Sequence, residues 1–330
     1  MKHKNPPFEI TPEILSDVAE IAELVGRISG TGHLSASPTL RRNNRIRTIH
    51  GSLAIEQNTL SIEQITAVLD GKRIIAPPKD IAEVKNAYEI YERMDELDPY
   101  CVDALLTAHG VMMRGLVEEA GMFRSRPVGV VDGEGRILHF GTLPDYVPGL
   151  VTQLLEWTQE SELPMLIKSC VFHYEFELIH PFADGNGRVG RLWHTLLLSK
   201  WNPLFAWLPV ESIIHDRQQA YYEAINASNQ DGDSTKFIVF MLSAIKSSII
   251  EALNVSDEMM DETVTPEEKR WNLVRAALQK NGSIQNADLC QLLGVSSATA
   301  NRLLRKWTER GWLTRYRDGR TWSYRLSEEI

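Results

Sequence analysis

Cysteine is scarce in this 330-residue chain, with only Cys101, Cys170 and Cys290. They are odd in number, far apart and without metal spacing, so neither a disulfide framework nor a cysteine metal site is expected. Each lies among apolar residues and reads as core packing in a reducing, cytoplasmic compartment. No apolar run approaches the roughly 18 residues of a membrane helix, so no membrane partner is expected. Met1 to Pro7 is polar and carries prolines, which is not the pattern of a signal peptide. Low-complexity tracts and internal repeats are also missing. What remains is ordinary for a globular chain, 43% hydrophobic and 24% charged. The length allows one large domain and a small one.

The net charge of −9 is unevenly spread. Ser296 to Arg325 holds eight basic and two acidic residues, a local balance of +6, which leaves −15 for the rest. Such a split points to one anion-binding face on an acidic protein.

The pattern is almost entirely helical. Thr11-Pro12-Glu13 is a helix start, followed by helical spacing from Ile14 to Ile28 and a close at Gly30. A second helix is expected over Arg47 to Gln57. Ser61-Ile62-Glu63-Gln64 reads as a capping box, and the short helix it opens stops at Asp70-Gly71. Further helices are expected from Asp80, Val102, Tyr146, Pro164 and Gly187, and near Asp216 and Ser234. One segment departs from this: Pro127 to Val131 and Arg136 to Phe140 are strand-like around Asp132-Gly133-Glu134-Gly135. A lone hairpin is barely stable, so it must lie on the helices, where it can serve as a flap.

Residues 254–265 are acidic and without helical periodicity, and read as a linker between a domain at 1–253 and one at 266–330. The second domain reads as three helices, Pro266 to Gln279, Asn286 to Leu293 and Ser296 to Arg310, then a hairpin. That order is a winged helix-turn-helix. Arg302, Arg305, Lys306 and Arg310 fall on its recognition helix, and Arg315, Arg317, Arg320 and Arg325 on its wing. This placement suits DNA, helix to groove and wing to backbone, and suits a protein partner equally. Trp307, Trp312 and Trp322 read as core.

The informative stretch is His180-Pro181-Phe182-Ala183-Asp184-Gly185-Asn186-Gly187-Arg188-Val189-Gly190-Arg191. An apolar helix enters a tight glycine loop, and a second helix leaves it. Free N–H groups and the positive dipole end make such a helix start an anion site. Arg188 and Arg191 share one helix face and can fork around phosphate oxygens. Asp184 is a hard oxygen ligand of the kind Mg²⁺ prefers. His180, one turn away, is the candidate general base. Together they describe attack of a hydroxyl on a nucleotide phosphate.

This stretch resembles the Fic family signature H-P-F-x-x-G-N-G-R-x-x-R at every specified position. Eight fixed residues in twelve arise by chance in such a chain with probability on the order of 10⁻⁸. The resemblance covers roughly Phe8 to Leu253. It implies a mainly α fold, a Fic helical bundle with a β-hairpin flap, and transfer of AMP from ATP to a Tyr, Thr or Ser hydroxyl of a target protein or of the chain itself. It assigns His180 as base, Asp184 to Mg²⁺, Asn186 to the α-phosphate, Gly185 and Gly187 to the anion hole, and Arg188 and Arg191 to the outer phosphates. Val128, Gly129, Val130 and Val131 would pass over the nucleotide, with the target docked on the flap (residues 128–140) as an added strand. Tyr222 and Asn229 would flank the adenine, while Tyr221 reads equally as core. Gly185 argues against the phosphorylating branch of the family.

Ser52-Leu53-Ala54-Ile55-Glu56-Gln57-Asn58 resembles the inhibitory helix of one Fic class. There Glu56, on the same helix face as Ser52, would pair with Arg191 and misplace ATP, and it could also help water remove AMP. Gln57 departs from the glycine or asparagine usual at that place. Two alternatives stay open: a DNA-binding regulator whose Fic domain senses nucleotide, and transfer from another nucleotide donor such as UTP.

Overall fold

In the computed structural model, the described residues are all except 1–4, 32–37, 132–136, 264–265, 319–320 and 328–330. Only the backbone is described at 29–31, 130–131, 137–140, 255–263, 266, 268–269 and 318. The chain divides into two compact units, Met1–Asn254 and Val255–Ile330.

The first unit opens with helix α1 (Pro12–Thr31), then α2 (Pro38–Ile55), α3 (Ile62–Leu69), α4 (Pro78–Glu92) and α5 (Val102–Met112). A hairpin, β1 (Gly129–Val131) and β2 (Ile137–Phe140), interrupts the helices. Helices α6 (Val147–Glu160), α7 (Met165–Ile179), α8 (Asn186–Trp201), α9 (Val210–Asp216) and α10 (Gln218–Asp231) follow, and α11 (Thr235–Thr263) begins in this unit and continues past its boundary at Asn254. Local chemistry sets several ends. The Ile14 N–H donates to Thr11 Oγ1 at 3.2 Å. Ser61 and Gln64 form the expected capping box at the start of α3.

Helices α7 and α8 are apolar on most sides, and they pack on each other at the centre of the core. Phe172, Phe176, Phe182, Trp193, Leu196 and Leu197 are fully buried there. Helix α2 presses against α9 backbone to backbone, because Gly51 leaves no room for a Cβ, which would come 2.6 Å from the Glu211 carbonyl oxygen.

Three expectations need correction here. Helix α2 begins at Pro38, not near Arg47, and ends at Ile55. The stretch read as an irregular linker is helical as far as Thr263, because extending a helix needs no new nucleus even where apolar periodicity has stopped. By length and apolarity, Thr235–Asn254 could cross a membrane, with mean hydropathy 1.5. Half of that segment is buried in the first unit, where Phe237, Met241, Leu242 and Ile245 are core residues. The flap turn at Asp132 to Gly135 and Arg136 lie outside the described residues.

The second unit comprises α12 (Pro266–Asn281), β3 (Ile284–Gln285), α13 (Asn286–Leu293), α14 (Ser297–Glu309), β4 (Leu313–Asp318) and β5 (Thr321–Leu326). Its sheet order is β3-β5-β4, all antiparallel, the arrangement of a winged helix-turn-helix. Gly294 and Gly311 close α13 and α14 in left-handed conformation, as expected. Trp307 is buried in a core with Trp271 and Leu304. Trp322 is not core: it is 47% exposed on the wing, with the Arg315 guanidinium 4.3 Å from its ring centre.

Candidate active site

The motif residues are placed by the junction of α7 and α8. Helix α7 stops at His180, whose φ of 52° and ψ of 63° are left-handed and cost a non-glycine residue energy. The His180 N–H still donates to the Phe176 carbonyl at 2.9 Å, so the residue caps the helix while its ring leaves the helical path. The loop that follows is tightly held. Phe182 is buried and stacks on His109, with ring centres 3.7 Å apart and 2° between planes. The Gly121 N–H donates to His109 Nδ1 at 2.9 Å, so Nε2 carries the proton and donates to the Asp184 carbonyl at 3.0 Å. Burial lowers the pKa of His109 and keeps it neutral in this role.

Gly185 starts α8 with φ +86°, and a Cβ there would meet Met113 Sδ at 2.6 Å. No side chain caps this helix start, so its first N–H groups stay open. Asn186 behaves differently from the expectation that its side chain orients a phosphate. It is buried, with Oδ1 accepting from the Phe182 N–H at 2.8 Å and Nδ2 donating to the Phe182 carbonyl at 2.9 Å. Both polar ends bond Phe182 and shape the loop.

The open helix start already holds an anion. Glu56 lies over Gly187 so closely that any Cβ there would collide with its carboxylate. Arg191 Nη2 donates to Glu56 Oε1 at 2.7 Å and to the Ser52 carbonyl at 2.9 Å, and Nε donates to Ser52 Oγ at 3.2 Å. Burial is the largest single effect and lowers the pKa of Arg191; the charge and hydrogen bond of Glu56, with Tyr221 and Glu177, together outweigh it and hold the guanidinium above its usual range. Gln57, the next residue, is left-handed at φ 66°. That conformation explains why glycine or asparagine suits this place.

Arg188 is buried between two carboxylates, Glu83 Oε1 at 2.8 Å and Asp184 Oδ1 at 3.0 Å. Glu83 also accepts from Asn58 Nδ2 at 2.8 Å, which ties the end of the Glu56 turn to the cradle. Asp184 is half-exposed, and its hydrogen bonds, from the Gly185 N–H and Arg188, all fall on Oδ1. Among the described residues, Oδ2 makes none. No cluster of three or more metal-binding side chains exists among them either. An exposed hard oxygen at a helix start fits a Mg²⁺ ion whose other ligands come from phosphate and water.

The hairpin stands on Arg124. Its Nε donates to the His180 carbonyl at 2.7 Å and Nη1 to the Arg126 carbonyl at 2.9 Å, while Nη2 donates to Thr142. One buried guanidinium thus joins the histidine to both feet of the hairpin. Gly129 pairs with Phe140, Val130 with His139, and Val131 with Ile137, with an irregularity between Val130 and Val131. Tyr221 is core, its hydroxyl 3.1 Å from His173 Nε2. Tyr222 is 36% exposed. Asn229 accepts from the Tyr174 hydroxyl at 2.9 Å, and its buried Nδ2 has no partner among the described residues. His109, Glu83 and the clamping role of Arg124 are not legible in the sequence, because each acts on residues far along the chain.

A helical bundle with a clamped hairpin, a glycine-turned anion cradle and a histidine at its lip is a Fic-type domain, here coupled to a winged helix-turn-helix. Comparison with known proteins agrees. A Fic/DOC family model matches residues 99–198, and a winged helix-turn-helix DNA-binding model matches residues 276–314. A solved Fic family protein from Desulfovibrio desulfuricans G20 is 44% identical, with 99% of both chains covered and a TM-score of 0.75. Protein adenylyltransferase fic-1 of Caenorhabditis elegans is 30% identical over 259 residues, 72% of this chain and 48% of that protein. A probable protein adenylyltransferase of Aquifex aeolicus is 25% identical, with 84% of both chains covered. This chain belongs to the Fic family. It spans about half the length of the Caenorhabditis relatives it matches.

Proposed function

We propose that the chain is a protein adenylyltransferase that moves AMP from ATP to a hydroxyl side chain of a protein, and that Glu56 restrains it. The observation that carries this reading is the Glu56 carboxylate seated on the start of α8 and held by Arg191 at 2.7 Å. A site that seats a carboxylate beside a helix start and against a buried arginine suits a phosphate. With Glu56 withdrawn, Gly185, Gly187 and Arg191 receive the outer phosphates, and Asp184 holds Mg²⁺, which neutralises phosphate charge. Arg188 acts through Asp184, since its own side chain is buried in ion pairs. His180 takes the proton of the attacking hydroxyl. Val128 to Val131 cover the nucleotide, the target adds as a strand to the flap at 128–140, and Tyr222 with the spare amide of Asn229 faces the adenine. Both self-modification and removal of AMP by a Glu56-assisted water fall within this reading. Three free thiols, Cys101, Cys170 and Cys290, suit a reducing cytoplasm.

The strained turn at Gln57 gives a direct check on the restraint. Gln57→Gly removes roughly 1 kcal/mol of left-handed strain from the held state. Initial AMP incorporation should then fall by up to about fivefold. Faster labelling would contradict the assignment.

A second role, DNA binding, is favoured by the wing. Arg302 and Arg305 are exposed on α14, and Arg315, Arg317 and Arg325 on the hairpin. Lys306 and Arg310 are drawn to Glu267 within the same unit, which removes them from the expected contact set. Arg320 lies outside the described residues. With four or five phosphate contacts, duplex affinity of the full chain should fall by roughly a hundredfold or more between 50 and 200 mM salt. Gel shifts at the two salts measure it, and absence of binding at low salt leaves a protein partner for this unit.

A further inference from the structure

The motif begins at His180, yet a carboxylate one turn earlier, in α7, stands behind the same ring. The Glu177 carbonyl oxygen lies at hydrogen-bond distance from His180 Nδ1, 3.3 Å, and its side-chain Oε2 stands 3.9 Å from the same nitrogen, close enough for charge to act but beyond a hydrogen bond. Its other oxygen, Oε1, lies 3.9 Å from His173 Nε2 and has no hydrogen-bond partner among the described residues. The site is built rather than incidental. Gly190 of α8 comes so close that a Cβ there would stand 2.9 Å from Glu177 Oε1. His173 is held from the far side by the Tyr221 hydroxyl at 3.1 Å. His173, Glu177 and His180 therefore line one stripe of α7, facing α8 and α10.

We infer that Glu177 is a positioning residue for His180: it orients the ring through Nδ1 and balances the charge the ring acquires when it accepts a proton. The inference rests on the adenylyltransferase reading. In that reaction the hydroxyl oxygen bonds to the α-phosphorus, and the bond from phosphorus to the pyrophosphate oxygen breaks. Pyrophosphate leaves with the electron pair, and the hydroxyl proton passes to His180 Nε2. Nδ1 keeps its proton, so the ring becomes a cation. A carboxylate behind Nδ1 is then worth most in the transition state, which is the condition for raising kcat.

The charged and titratable groups facing Glu177 are His173 and His180 from α7 and its cap, Arg191 from α8, Glu56 from the end of α2, and Tyr221 from α10. Burial pushes the Glu177 carboxyl up to about 7, with Arg191 opposing and Glu56 adding to the rise. Burial also keeps His173 neutral, far below its ordinary value. Glu177 is thus charged above about pH 7 and loses its balancing charge below it.

The test reads the ring and the reaction separately in the full-length protein. By NMR, the His180 imidazole and the Glu177 carboxyl of the wild type should share inflections with pH, as coupled sites do. In Glu177→Gln the His180 midpoint should drop by about one pH unit, while Glu177→Asp keeps most of the wild-type value. In parallel, kcat for AMP incorporation should fall about tenfold or more in Glu177→Gln with KM for ATP unchanged, and recover in Glu177→Asp. A purely structural carboxyl predicts the opposite order, because glutamine keeps the shape and aspartate does not. The inference is overturned if the two wild-type titrations leave no trace on each other, or if glutamine serves as well as aspartate. If no variant incorporates AMP, the adenylyltransferase reading fails, while the ring titration still decides the role of Glu177.

Discussion

Glu56→Gly is expected to raise the rate of AMP incorporation from labelled ATP by roughly tenfold to a hundredfold. The magnitude follows from losing a charge-assisted pair of about 1.5–3 kcal/mol from a two-state equilibrium between held and open sites. The pair is close and largely buried, with Arg191 fully covered and Glu56 at 29% exposure. Arg191→Ala removes the same pair, yet it should not activate, because in the proposed reaction Arg191 also holds the outer phosphate. Its loss leaves Ser52 without its two hydrogen bonds from the guanidinium and Glu56 without a counter-ion. Thermal melts of both variants separate a restraint from a stabilising bridge. A bridge whose only role is folding would lower the melting temperature in both and activate neither.

His180→Ala is expected to reduce AMP transfer by about a hundredfold to ten-thousandfold, the usual range for a lost general base. Binding of ATP should change little, because the ring serves the incoming hydroxyl and not the phosphates. The backbone around His180 supports this separation. His180 is fixed by its capping bond to Phe176 and by the Arg124 clamp on its carbonyl, neither of which involves the ring. Nucleotide titration beside the labelling assay checks both halves. Transfer within a few-fold of wild type would remove His180 from the role of base.

Much of the fold is legible in the chain because its signals are local. The Thr11-Pro12 start, the Ser61–Gln64 box and the glycine closes at Gly294 and Gly311 act within one turn, and the structure has each. The winged unit was readable from the order of its elements, but β3 was not: it has two residues, and pairing with β5 defines it. The helix through residues 255–263 escaped for the reverse reason, since it carries no apolar stripe to announce it. At the site, the motif marks the glycine loop, the helix start and His180, which the structure brings together. What holds them is non-local. His109 reaches Asp184 across 75 residues, and Arg188 reaches Glu83 across 105. No spacing rule joins such pairs. Asn186 shows a different limit: the family resemblance implies a phosphate contact, while the structure has its buried amide bonded to Phe182 within the loop.

The most direct measurement of the central claim is intact-protein and peptide mass spectrometry of the wild type, Glu56→Gly and His180→Ala. Each is incubated with Mg²⁺ and, separately, ATP, GTP, CTP or UTP. One added AMP on a hydroxyl side chain is expected from ATP alone, most in Glu56→Gly and none in His180→Ala. An adduct that forms equally in His180→Ala, that comes from another nucleotide, or that is missing from a folded, ATP-binding Glu56→Gly would contradict it.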